Sequence, residues 1–204
     1  MNPREYLDIL HVAEKLKDTM RHCTTSKGRP ESVAEHSWRI SLMAMLLEKE
    51  FPEIDINKVI KMCLIHDLGE CFTGDIPVFK KTSADSARED ELLAEWVATL
   101  PPEVSKEWQA LYEEMDALET PEAKLYKALD KLEAVLSHDE SDLDTWLPLE
   151  YDLQLTYGRD NVAFSPRLQA LKDAIDAWTE EKIRLGEEGK PLTDPPKSRD
   201  EGDR

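Results

Sequence analysis

Residues 63–75 read CLIHDLGECFTGD, and this stretch limits tightly what the chain can fold into. It grows out of an apolar run, Val59, Ile60, Met62, Cys63, Leu64 and Ile65, whose near-continuous hydrophobicity belongs to a helix with neighbours on most sides. Into that run are set His66 and Asp67, side by side, and then Glu70 and Asp75. Unpaired charge in a core costs several kcal/mol even after relaxation. An imidazole and three carboxylates there need a compensating partner, and a metal ion is the leading candidate.

The rest of the chain repeats with the helical period. Tyr6, Leu10, Ala13, Leu16 and Met20 form one helical face. Ser32 can cap a second helix carrying Val33 and the apolar positions of 40–47, and Asn57 can cap the third. Gly69 weakens the end of that third helix, and TGDIP reads as a loop. An acidic amphipathic helix is predicted over 83–100, stopped by Pro101 and Pro102, and Trp108, Leu111, Tyr112 and Met115 mark the next. Thr120-Pro121 is a cap followed by proline at the first helical position. It opens a mostly buried helix through Leu129, Leu132 and Val135. A short helix over 149–157 ends at Gly158, and the last runs over about 165–185. No Asn-Gly or Asp-Gly lies between alternating apolar runs, so no hairpin is expected. The prediction is an all-α fold, a single helical domain over 1–186. A charged, proline-bearing tail over 187–204 is expected to be disordered.

The 204 residues suffice for one large domain that needs no staples. A formal net charge of −18 argues against a nucleic-acid polymer as partner, since phosphate neutralisation needs a basic surface. One small anion remains possible, held by a metal and a few local cations among Arg21, Lys27, Arg29, Lys80 and Lys81. The three cysteines, Cys23, Cys63 and Cys71, match no zinc or redox spacing and read as reduced thiols in a cytoplasmic protein. The N-terminus has no signal-peptide core, and no stretch approaches a membrane span.

Adjacent on one helix, His66 and Asp67 point about 100° apart. A metal held by both must sit at a helix end or between helices, with further ligands from elsewhere. His36, in SVAEHSWRI, and Asp130, in KALDKLEAV, are the candidates. Two imidazoles and two carboxylates suit Mn²⁺, Fe²⁺, Co²⁺, Ni²⁺ or Zn²⁺, and Mg²⁺ less well. Taken singly, each residue has a plain reading: a satisfied core histidine, a chance HD pair, a surface carboxylate.

Their order, His36, then His66-Asp67, then Asp130, resembles the HD-domain metal-dependent phosphohydrolase superfamily. RPESVAEHSWRISLMAM and CLIHDLGECFTGDIP are similar to its 5′-deoxynucleotidase branch, over about residues 16–135. The resemblance implies an all-α HD-domain bundle in which His36, His66, Asp67 and Asp130 bind the metal. It implies Glu70 as acid/base, Asp75 on the sugar hydroxyl and Arg21 on the phosphate. The implied reaction is hydrolysis of deoxynucleoside 5′-monophosphates by a metal-activated water, releasing phosphate and a nucleoside. The branch typically has Trp after that arginine, packed against the nucleotide; here the position is His22. That keeps open hydrolysis of another small phosphate ester or of a nucleotide di- or triphosphate, and also a catalytically idle binding protein.

The superfamily's two-metal members draw extra histidines from the interval between the HD pair and the last aspartate. The five histidines here are His11, His22, His36, His66 and His138, and none lies in that interval, so one metal per chain is expected. His138, in SHDESD, reads as exposed, and His11 as part of the first helix surface. Members of the family commonly form homodimers, for which Trp96, Trp108, Trp146 and Trp178 offer apolar surface unless they fill the core.

Overall fold

A computed structural model of the chain describes residues 1–190. Helices dominate, as the period required. In chain order they are α1 (Pro3–Ala13), α2 (Val33–Leu46), α3 (Ile56–Ile65), α4 (Glu70–Thr73), α5 (Ser83–Ala98), α6 (Pro102–Ala117), α7 (Pro121–Glu140), α8 (Glu150–Thr156), α9 (Arg159–Val162) and α10 (Pro166–Glu187). Ser32 caps α2 in a reciprocal box with Glu35, and Thr120 caps α7 with Pro121 at its first position. The cap of α3 is Asp55 rather than Asn57; its carboxylate accepts from the Lys58 amide at 3.2 Å. The last helix runs on to Glu187, and the expectation for the tail falls largely outside the described residues.

The centre of the molecule is α7, which packs against α2, α3, α6 and α10. Leu125, Ala128, Leu129, Leu132 and Val135 on it are fully buried. Burying each leucine stabilises the fold by about 1.5–3 kcal/mol. α3 is less enclosed than its sequence suggested, because Leu64 faces outward.

The expectation of no hairpin also fails. The chain forms a two-stranded antiparallel hairpin from β1 (Met20–Thr24) and β2 (Pro30–Ser32). It turns at Gly28, whose positive φ of 75° few other residues tolerate. The strands are short and their pairing is irregular between Met20 and Thr24, so no alternation marks them in the sequence. The hairpin matters because β1 carries Arg21 and His22 against α7. Ser141, just past α7, ties it down by donating to the Thr24 carbonyl at 2.6 Å.

Candidate metal centre and substrate cavity

α3 stops at Ile65, and His66 occupies its C-cap. The following turns are tight: the Leu68 amide reaches the Ile65 carbonyl and the Glu70 amide the Asp67 carbonyl, both three residues back. The HD pair is thus delivered at a helix end, one of the two arrangements that adjacency allowed. As Gly69 suggested, α3 does not run through to Glu70, which instead opens the short α4. Gly74, at φ 77°, caps the end of α4 and is followed by Asp75.

His36 enters from α2, and its Nε2 lies 3.2 Å from Nε2 of His66. Asp67 Oδ2 is 2.9 Å from the His66 nitrogen and 3.8 Å from that of His36. These three residues offer ligand atoms within 4.8 Å of one another. Asp130, on α7, lies at their edge: its Oδ1 is 3.5 Å from His36 Nε2, while Oδ2 pairs with Lys127 at 3.0 Å and Lys131 at 3.2 Å.

The hydrogen bonds on the far side of each ring test whether a cation fits. Nδ1 of His66 faces the Cys63 carbonyl at 2.9 Å, and Nδ1 of His36 faces the Glu133 carboxylate. Both partners accept only, so both Nδ1 atoms carry the hydrogen. A neutral imidazole then presents its lone pair at Nε2. Two such lone pairs and a carboxylate oxygen, converging within 4 Å of one another, repel unless a positive charge sits among them. Without a metal a proton serves: burial and Arg21 pull the His36 pKa down, but the Glu133 and Asp130 carboxylates outweigh them and raise it to about 9. Asp67 is held well below the usual carboxylate range; burial opposes this, and the two imidazoles outweigh it. The donor set fits a divalent transition metal.

A cavity of about 230 Å³ opens over this cluster. Glu70 lines it, with Oε2 buried and without a hydrogen-bond partner. Burial, then the Asp67 and Asp75 carboxylates, push the Glu70 pKa up to about 10. Burial, with Asp67 adding and Arg21 opposing, raises that of Asp75 as well. Arg21 lines the cavity and is fixed by Glu31 at 2.6 Å and Glu133 at 3.1 Å. Of the cations named from sequence, Arg21 and Lys81 line the cavity; Lys27, Arg29 and Lys80 do not, and Arg29 pairs with Glu35 on the surface. Lys127 and Lys131 also line it and were not anticipated.

At the other end His22 meets Phe79 edge-on at 5.3 Å between ring centres and lies 3.4 Å from Glu150 Oε1. The same oxygen is 3.1 Å from His138 Nε2. His138 therefore lines the cavity, against the expectation of exposure: α7 runs on past it, and α8 closes over it. His11 is on the surface of α1, as read.

The residue that sequence reading missed outright is Glu133. One turn after Asp130, it holds both His36 and Arg21. Its partners lie 97 and 112 positions away, and no local pattern marks it.

A helical bundle whose central helices converge two imidazoles and two carboxylates beneath a cavity with a fixed arginine is the architecture of a metal-dependent phosphohydrolase. The chain belongs to the HD-domain family, whose sequence profile matches residues 13–172, and it is a hydrolase of that family. It is 37% identical over 141 residues to a 5′-deoxynucleotidase HDDC2 of Dictyostelium discoideum, covering 64% of this chain and 74% of that one. A crystal structure of a predicted metal-dependent phosphohydrolase from Magnetospirillum magnetotacticum matches with a TM-score of 0.72 and 31% identity, over 90% of this chain and 93% of its own. The HD phosphohydrolase DatZ of cyanophage S-2L, solved with dA and one catalytic Zn²⁺ ion, matches with a TM-score of 0.54 and 25% identity, over 85% and 95%.

Proposed function

We propose that the protein is a metal-dependent phosphomonoesterase that hydrolyses deoxynucleoside 5′-monophosphates to nucleoside and phosphate. The observation that carries this is the convergence of His36, His66 and Asp67 beneath a cavity that also holds Arg21 and the unpartnered Glu70. The likeness to a 5′-deoxynucleotidase and to a nucleoside-bound phosphohydrolase supports the substrate class.

His36, His66, Asp67 and Asp130 are the residues that would hold one divalent ion; Oδ1 of Asp130 faces His36, apart from the oxygen that pairs with the two lysines. Such an ion, when bound, polarises a phosphoryl oxygen and lowers the pKa of a water. Arg21 neutralises the phosphate oxygens whose charge is redistributed in the transition state. Glu70 takes the proton of the attacking water as its oxygen bonds to phosphorus. It returns that proton to the 5′ oxygen as the phosphorus–oxygen bond to the sugar breaks. Asp75 binds a sugar hydroxyl, and His22 and Phe79 contact the nucleoside.

A phosphate-release panel tests this, with mono-, di- and triphosphates in deoxy and ribo forms. It uses chelator-stripped protein with Mn²⁺, Co²⁺, Zn²⁺ or Mg²⁺ added back. Release confined to monophosphates and restored by metal is the expected result. Lys127 and Lys131 favour a second reading, a di- or triphosphate substrate, and release of pyrophosphate or triphosphate would establish it. No turnover of any nucleotide with metal bound points to another phosphate ester or to a binding role. His22→Trp is expected to raise the deoxy-over-ribo ratio of kcat/KM several-fold, because a larger ring fills the space beside the sugar.

The protein is further proposed to be cytoplasmic and homodimeric. Its three cysteines are buried and unpaired, which suits a reducing compartment. No helix among the described residues is long and apolar enough to cross a membrane. The tryptophans named from sequence lie largely within the monomer: Trp146 and Trp178 are buried, and Trp96 and Trp108 pack on the core. The exposed apolar stripe is instead Trp38, Leu42, Met45 and Leu46 on α2, with Trp38 63% exposed. A second copy is the proposed cover for it, and sedimentation equilibrium reads the assembly directly.

A further inference from the structure

We infer that Glu133 is the positioning residue of this centre, a single buried carboxylate that sets the orientation and tautomer of His36 and at the same time anchors Arg21. This rests on the metal-site reading above.

Glu133 is fully buried on α7, one turn from Asp130. Its Oε2 accepts from Nδ1 of His36 and from Nη1 of Arg21 at 3.1 Å. Its Oε1 accepts from the Ser137 hydroxyl at 2.7 Å, with Arg39 3.8 Å away. Both oxygens are thereby locked, and the carboxylate cannot swing away from the imidazole. A buried carboxylate accepts and never donates while ionised, so the His36 hydrogen is fixed at Nδ1 and its lone pair at Nε2, on the side of His66 and Asp67. A carboxylate behind a ligating imidazole also raises its basicity. α7 thus supplies Asp130 to the centre and, one turn on, the brace for His36 from α2. The shared Oε2 sets the distance between the metal end and the arginine end of the cavity.

Glu31 provides the control. It holds Arg21 at 2.6 Å and accepts from Ser137 at 3.2 Å, and among the described residues no hydrogen bond or ion pair joins it to His36. If buried negative charge beside Arg21 were all that mattered, E31Q and E133Q would act alike.

The test is Zn²⁺ affinity of the full-length protein, measured by competition with a chelator, in wild type, E133Q and E31Q. The expected result is a loss of roughly 10- to 100-fold in E133Q, with E31Q within about threefold of wild type. In the Zn²⁺-loaded protein labelled with ¹⁵N-histidine, the deshielded His36 Nδ1–H signal should move or vanish in E133Q and persist in E31Q. Should E133Q not fold, E133D serves: it keeps the charge, retracts the oxygens by one methylene, and is expected to lose about tenfold or more. Equal affinity in wild type and a folded E133Q or E133D overturns the inference, as does an equal loss in E31Q. A wild type that binds Zn²⁺ but hydrolyses no nucleotide defeats the substrate reading and leaves this one standing; a wild type that binds no metal defeats both.

Discussion

Asp67→Ala is expected to remove metal and turnover together, with activity falling by about 10³-fold or more. The carboxylate sits 2.9 Å from His66 Nε2 and 3.8 Å from His36 Nε2, completing the three-residue cluster. Without it, the two imidazoles and Asp130 remain; one of the two proposed carboxylate ligands is gone, and Asp130 is also paired with Lys127 and Lys131, so a divalent ion is held weakly. Lewis-acid stabilisation of the transition state is worth several kcal/mol, and each 1.4 kcal/mol is about tenfold in rate. Metal analysis of the purified variant and a calorimetric scan separate loss of the ion from loss of the fold. The scan bears on a second effect. The folded Asp67 carboxyl titrates below its ordinary value, so in metal-free protein it contributes stability above that value and loses it as the pH falls. The variant should therefore be less stable than metal-free wild type near pH 7 and converge with it in acid. An Asp67→Ala protein that binds metal with wild-type affinity would remove Asp67 from the ligand set.

The legible part of this centre was what lies in short, local patterns. Ser32 with Glu35, and Thr120 with Pro121, announce the starts of α2 and α7 through their own backbone chemistry. The order of His36, His66-Asp67 and Asp130 marks the proposed ligands through the family resemblance that it carries. What stayed hidden depends on partners distant in sequence. Glu133 touches a histidine 97 positions away, and in the stretch DKLE it looks like any solvated helix carboxylate. Lys127 and Lys131 line the cavity paired with Asp130, a place that only the packing of α7 against its neighbours reveals. His138 stands in a polar stretch, yet its Nε2 lies 3.1 Å from the buried Glu150 carboxylate of α8, a contact that no local pattern records. The hairpin escaped for another reason: strands of five and three residues with an irregular register carry too little alternation to read.

Glu70→Gln is expected to leave metal affinity within about threefold of wild type and to lower kcat by roughly 10²- to 10⁴-fold. Glu70 is the first residue of α4, three positions past Asp67, with one oxygen buried and unpartnered in the cavity. A polar atom in that state costs free energy, about 1–3 kcal/mol for an unsatisfied group. Placing it beside Asp67 and Asp75 adds like-charge repulsion. The consequence is a raised pKa, about 10 against an ordinary 4.5. In metal-free protein the folded state therefore binds a proton that the unfolded chain has released. Stability then declines as the pH rises from 4.5 towards 10. Glutamine has no proton to lose, so metal-free E70Q should be more stable than wild type at pH 8, and the difference should close as the pH falls towards 4. A bound dication favours the carboxylate and shrinks the same difference. A group that destabilises the empty site yet suits proton transfer in the loaded one is retained for its chemistry. Turnover of folded, metal-loaded E70Q within tenfold of wild type would end the acid/base assignment.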